Sequence, residues 1–150
     1  MGSFFGMMNI SASALAAERE RAEVTSANLA NAETTHTDAG GPYVRKEVVF
    51  SSVDPSPFGT VLDQMGAPGS PVPGSVRLAD VVSDPTPPVK RYEPGNPDAD
   101  KNGYVEYPAI DPETEMMDLM ESVRSYQLNA SAIGAAKAMI QESIDILRTT

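Results

Sequence analysis

The chain has no cysteine and no tryptophan, and its single histidine is His36. Without thiols there is no disulfide framework, no thiolate nucleophile and no cysteine metal site, and one histidine cannot build a histidine-rich one. The lack of cysteine does not by itself fix a compartment. Positive charge is also scarce: 11 lysines and arginines face 21 aspartates and glutamates, for a net charge of -10 and a pI near 4.4. Such a chain repels phosphate backbones, which excludes nucleic acid as a main partner. No acidic tail carries the excess. Residues 1–40 hold 2 basic and 5 acidic side chains, 41–110 hold 6 and 9, and 111–150 hold 3 and 7.

No apolar run approaches the roughly 18 residues of a membrane span, so direct membrane insertion is not expected. The opening MGSFFGMMNISASALAAERER has no positive region ahead of its apolar stretch, which argues against a cleaved signal peptide. Gly6 stands where a myristoylation site needs Ser or Thr. If the chain leaves the cytoplasm, it is expected to do so without a cleaved signal.

Proline is missing from both ends. All 13 prolines lie between Pro42 and Pro112, so two helix-permissive ends flank a helix-hostile middle. In the C-terminal segment Met116, Leu119, Val123, Tyr126, Ala130, Ile133, Lys137, Ile140, Ile144 and Leu147 alternate at spacings of 3 and 4. That is a heptad seam interrupted only by Lys137. Asp111 suits an N-cap, Pro112 the first helical position, and Glu113, Glu115 and Asp118 the positive end of the helix dipole. A helix over 112–147 follows, longer than a compact domain of this size needs. Residues 4–32 show a weaker version of the period, with Met8, Leu15, Ala22 and Leu29 in one row and Met7, Ile10, Ala14, Ala17 and Val24 beside it. Their alanine content favours helix and close approach by another helix.

Between the helices, residues 43–50, 76–82, 89–92 and 103–107 are rich in Val and Tyr and read as short strands separated by Pro and Gly turns. The expected fold class is α+β: long terminal helices paired as an antiparallel coiled coil, with a small Pro/Gly-rich β region between them. Residues 1–35 and 111–150 would form a discontinuous helical domain. Residues 36–110 would form a small β or irregular domain, with a mobile loop at 51–75.

The chemistry-bearing patterns are weak. Asp98-Ala99-Asp100-Lys101-Asn102-Gly103 copies the first six positions of a calcium loop, but the twelfth is Ala109, where a bidentate Glu is needed. A side-chain-capped turn leading into Tyr104 is expected instead. His36 sits in the polar stretch Thr34-Thr35-His36-Thr37-Asp38, which suits an exposed loop. The carboxylates Glu113, Glu115, Asp118 and Glu121 suit a dipole-paired, solvated helix start better than a metal site. With no acid–base pair, phosphate loop or nucleophile elbow, no enzyme, cofactor or metal centre is expected. Eight methionines, most of them on the helices, exceed what a helix pair this small can bury, so some of that surface is expected to meet another chain.

Three stretches resemble the flagellar rod, hook and hook-associated family. Ala27-Asn28-Leu29-Ala30-Asn31-Ala32 is similar to its N-terminal signature. Arg124-Ser125-Tyr126-Gln127-Leu128-Asn129-Ala130 with Ala136-Lys137-Ala138-Met139 is similar to its C-terminal one. Asp84-Pro85-Thr86-Pro87-Pro88, Tyr92 to Asp100, and Asn102-Gly103-Tyr104-Val105-Glu106-Tyr107-Pro108 resemble its short proximal-rod members. Two departures stand out: Ala109-Ile110 replaces the usual Asn-Val, and residues 34–38 lack the Thr-Pro-Gly-Tyr of longer members. The resemblance implies a structural subunit of the periplasmic rod, with copies of itself, other rod proteins and the flagellar type III export apparatus as partners. Its paired helices would line a tube that transmits torque and surrounds the export channel. The interface candidates are Met8, Leu15, Val24, Asn28, Leu29 and Asn31 on the first helix, and Met116, Leu119, Val123, Tyr126, Ile133, Ile140, Ile144 and Leu147 on the second. Asn28 and Asn31 suit either inter-subunit hydrogen bonds or simple helix capping. The alternatives are another type III-secreted helical axial protein and a calcium-binding module.

Overall fold

The computed structural model describes residues 2–52 and 74–148, without the side chains of residues 2–5 and 147. It is a mixed α+β chain: helix α1 (Gly2–Ala30), strands β1 (Lys46–Ser52), β2 (Val76–Ser83), β3 (Val89–Tyr92) and β4 (Tyr104–Tyr107), and helix α2 (Pro112–Arg148). The strands form two two-stranded sheets, β1 with β2 and β3 with β4. Both helices and all four strands lie where the sequence places them, with small shifts at the ends. Residue 43 stays out of β1 because the Tyr43 N–H donates to the Thr34 carbonyl (3.0 Å), closing the segment between them instead of entering a ladder. The loop expected at 51–75 falls mostly on residues outside the described ones; of its ends, Ser51 and Ser52 belong to β1 rather than to a loop.

The start of α2 is built as its sequence dictates. Asp111 Oδ1 accepts the Glu113 N–H (3.2 Å), and Oδ2 accepts the Thr114 hydroxyl (2.7 Å). Pro112, with no N–H to satisfy, takes the first helical position. At the far end of α1, the Asn31 side chain donates to the Ala27 carbonyl (2.9 Å) and accepts the Thr34 hydroxyl (3.2 Å), which ends the helix.

In the β3–β4 pair, Lys90 faces Glu106 and Tyr92 faces Tyr104 on one side, while Arg91 faces Val105 on the other. The exposed side is laced by a Lys90–Glu106 ion pair at 3.0 Å and an edge-on tyrosine pair with centroids 5.3 Å apart. Cross-strand pairs of this kind stabilise a short sheet that lacks its own core. Val105 on the other side is fully buried. Tyr107 and the Arg91 guanidinium stack at 4.6 Å, a cation–π contact. The connection 93–103 is a series of turns. Gly103 has φ +82°, and a Cβ there would come 3.0 Å from Tyr92 Cε2 and 3.1 Å from Pro94 Cβ.

The chain divides into two compact units, one from Met1–Arg19, Phe50–Ala79 and Ser122–Thr150, the other from Glu20–Val49 and Asp80–Glu121. Of the 11 basic side chains the first unit holds five and the second six; of the 21 acidic ones, five and sixteen. The charge that is spread along the sequence is therefore gathered by the fold: one unit is neutral and the other carries the whole net charge of -10.

Three carboxyls sit below the usual carboxylate range because they accept hydrogen bonds at local caps. Asp84 does so through the Thr86 hydroxyl and N–H, Asp100 through the Tyr104 and Asn102 N–H groups, and Asp111 through the Thr114 hydroxyl and the Glu113 N–H. Their folded values lie below their unfolded ones, so the stability they contribute is complete above about pH 4 and is lost as the pH falls through the folded values. Urea unfolding is expected to hold a constant midpoint from neutral pH to about 5 and to weaken below about 4. In Asp111→Asn, which keeps a capping oxygen without a titrating charge, part of that acid dependence disappears. Gly103→Ala is expected to cost about 1–2 kcal/mol in the same assay, since it adds a Cβ to a left-handed residue with no room for one.

Candidate functional site

The end of α1, the start of β1 and the start of α2 meet at one buried amide and one buried carboxylate. Asn28 and Glu115 are each 1% exposed. Asn28 Nδ2 donates to the Lys46 carbonyl (2.8 Å) and to Glu115 Oε2 (3.1 Å). Its Oδ1 accepts the Lys46 N–H (3.0 Å) and the Tyr43 hydroxyl (3.2 Å). Two donors and two acceptors are all that an asparagine amide has, and here every one is used. Towards Lys46 the side chain behaves as a neighbouring strand would, filling both the N–H and the C=O of one residue.

Glu115 Oε1 accepts Arg45 Nε at 2.6 Å. Arg45 also pairs with Glu47, and its Nη1 lies 3.6 Å from Asp84 Oδ2. Burial alone would lower the Arg45 pKa, but the hydrogen bonds and charges of Glu115 and Glu47 outweigh it, so the net shift is upward. The Tyr43 hydroxyl is also pushed up, first by burial and then by the Glu115 charge. The Asp84 N–H donates to the Arg45 carbonyl (2.8 Å), carrying the cluster to the segment after β2. Thr25, Arg21 and Asp118 join these residues around a polar recess of about 260 Å³.

Glu115 corrects an expectation. Its place in an acidic first turn suggests a solvated dipole partner, which holds for the exposed Glu113 and Glu121. Glu115 instead points inward onto a guanidinium supplied by a residue 70 positions earlier. One signal was available: Glu115, Ser122, Asn129 and Ala136 form a heptad row of polar or small residues beside the apolar seam. Of these, Glu115, Ser122 and Ala136 are buried.

On α1, Ala17, Thr25 and Asn28 are likewise buried. Among the described residues the buried apolar core consists of Ala17, Val105 and Ala136. The interface candidates differ in exposure. Leu119, Ile133 and Ile140 are half-buried, while Met116, Val123, Tyr126 and Ile144 are exposed; the Leu147 side chain lies outside the described ones. On α1, Met8, Leu15, Val24, Leu29 and Asn31 are half-buried. Asn28 is engaged wholly within the chain and Asn31 caps its own helix.

The Asp98 to Gly103 segment is the side-chain-capped turn its sequence predicts. Asp100 Oδ1 accepts the Asn102 N–H (2.7 Å) and the Tyr104 N–H (2.9 Å), and Asp98 Oδ2 accepts the Thr35 hydroxyl (2.6 Å). His36 is exposed, as its polar surroundings suggest.

Residues 8–35 match the family described as "Flagella basal body rod protein", and residues 101–146 match "Flagellar basal body rod FlgEFG protein C-terminal". The flagellar basal-body rod protein FlgC of Bacillus subtilis is 40% identical over 147 residues, covering 95% of this chain and 97% of the relative. That of Salmonella typhimurium is 38% identical over 144 residues, covering 96% and 98%. The FlgC of Borreliella burgdorferi is 33% identical over 150 residues, covering 96% and 97%.

Removing one member of a buried, hydrogen-bonded ion pair strands the other, at a cost of about 3–5 kcal/mol. Glu115→Ala is therefore expected to lose about 3 kcal/mol in chemical denaturation, near the lower figure because Arg45 keeps Glu47 and Asp84. Asn28→Ala, which leaves the Glu115 carboxylate and the Lys46 backbone short of partners, is expected to cost at least as much as one buried hydrogen bond, about 1–3 kcal/mol. A loss under 0.5 kcal/mol in both, the range of an ordinary surface substitution, would mean that the cluster does not hold the two helix ends.

Proposed function

The chain belongs to the FlgC family of flagellar basal-body rod proteins, and on that premise we propose that it builds the proximal part of the rod by helix contacts between neighbouring chains. It is a structural rod subunit and not an enzyme. The observation that carries the assembly reading is the mismatch between its core and its surface. Among the described residues three small or medium apolar ones are buried, while Met7, Ile10, Met116, Met117, Met120, Val123, Leu128, Met139, Ile144 and Ile146 of the helices are exposed. A chain of this length that leaves so much apolar surface in water is completed by neighbours.

The finer reading is that α1 and α2 pair antiparallel, bringing the chain ends together. Two observations support it: Asn28, near the end of α1, bonds to Glu115, in the first turn of α2, and Met1–Arg19 shares a compact unit with Ser122–Thr150. The tight contact is made by small residues, so the large side chains of the heptad seam stand beside it. Such leftover faces give a contact between unlike surfaces that repeats without closing, which generates a helical tube. Burial of Met, Leu and Ile at about 25 cal/mol per Å² supplies the main driving force, against the cost of ordering the ends. Export through the flagellar type III apparatus, without a cleaved signal peptide, and a place around the export channel complete the proposal.

Two experiments test it. In a strain deleted for its own FlgC, expression of this chain is expected to restore basal bodies, with density for it in the proximal rod by electron microscopy; motile cells whose rods lack it would overturn the assignment. Ile133→Asp and Ile140→Asp, which put a charge at half-buried seam positions, are expected to abolish swimming at unchanged expression. Normal swimming by both would remove the seam from the interface.

A further inference from the structure

The heptad seam is not the only apolar row on α2. Met117, Leu128 and Met139 recur every 11 residues and are 68, 63 and 52% exposed, with Met120 and Ile146 beside them at 65 and 60%. At 100° per residue Met117 lies about 160° round the helix from the buried Glu115 and Leu128 about 120° from the buried Ser122, while Met139 lies about 60° from the buried Ala136. On a straight helix an 11-residue row drifts by about 20° per repeat, in the sense opposite to the drift of a heptad row. Among the described residues these side chains stay more than half exposed, and the row is too long to be scattered surface hydrophobes.

The outward side of α1 is the inverse. Ala12, Ala16, Ala27 and Ala30 are exposed there, about 80–160° round the helix from the buried Ala17 and Asn28, and Ala16 and Ala27 are again 11 apart. Large side chains on one helix and small ones on another at the same spacing fit as ridge and groove. Charge adds an independent constraint. Arg124 sits in the α2 row and Glu20 on the outward side of α1, both exposed. Among the described residues neither makes an ion pair.

We propose that the α2 outer row of one copy docks antiparallel on the α1 outer face of a second copy, with Arg124 against Glu20, Leu128 against Ala16 and Met117 against Ala27. One register serves all three pairs: the four residues from Arg124 to Leu128 match the four from Glu20 to Ala16, and the seven from Arg124 to Met117 match the seven from Glu20 to Ala27. Antiparallel packing also sets opposite helix dipoles side by side. The two faces differ and belong to the same molecule, so each copy gives one and accepts on the other, and the contact propagates. This rests on the rod-subunit reading and names the surfaces through which copies meet.

The cysteine-free sequence makes the test direct. Ala16→Cys and Leu128→Cys chains are co-expressed in flagellated cells, and isolated basal bodies are oxidised. The expected product is a mixed disulfide dimer, with little from Ala27→Cys plus Leu128→Cys, which is 11 residues out of register. Glu20→Arg or Arg124→Glu is expected to lower the mixed-dimer yield about tenfold, the scale of a close interfacial charge pair made repulsive. The two together are expected to restore it. Rods that contain the chain yet give only Leu128→Cys homodimers, equal yields in both registers or no cross-link would overturn the proposal. Basal bodies that lack the chain altogether would overturn the rod-subunit reading beneath it.

Discussion

A carboxylate with almost no access to water must be held by a cation and hydrogen-bond donors, or it cannot stay charged. Glu115 is in that position, and the arrangement of the second unit follows from satisfying it. Arg45 has to reach it, which fixes the approach to β1; Asn28 has to reach it, which ties the last turn of α1 to the first turn of α2. Tyr43 and the Lys46 backbone then fill what remains of the Asn28 amide. A buried ion pair is weak evidence for net stability, since an apolar substitute often does as well. Its value here is geometric: bonds of fixed direction set the helix ends and the strand in one arrangement, which a few apolar contacts among small residues would not do.

The helices carry the opposite logic. Their buried residues, among those described, are small or polar, Ala17, Thr25 and Asn28 on α1 and Glu115, Ser122 and Ala136 on α2. Small residues let backbones approach closely, and the large methionines, leucines and isoleucines are left for the outside. For a solitary domain this would be poor design. On the assembly proposed above it is an allocation, with polar specificity kept within the chain and apolar area kept for neighbours. The charge follows a related division, since one unit is neutral and the other holds the whole acidic excess.

Local features of this molecule were legible in the sequence because their causes are local. Proline confined to residues 42–112 marks where helices are forbidden, Asp111-Pro112 announces a helix start, and Val/Tyr runs between turns mark strands. Glu115 was misread because its true partners stand 70 and 87 residues away, while its neighbours supply a sufficient ordinary explanation. The apolar period of α2 was equally plain, but period does not say which side faces inward. The usual rule sends large apolar residues to the core, and it fails when the core that matters is shared between molecules. The 11-residue row Met117, Leu128, Met139 went unseen because the heptad explained most of the same helix.

The Asn28 amide also constrains timing. Its four bonds draw on residues 15, 18 and 87 positions further along the chain, and the entropic cost of closing a loop grows with such separations. A polypeptide delivered from its N-terminus, as from a ribosome, can wind α1 early but cannot lock its end until residue 115 has arrived. Through that interval the Asn28 amide lacks one of its four partners, so the junction of α1 with the rest of its unit is the last of these contacts to be completed.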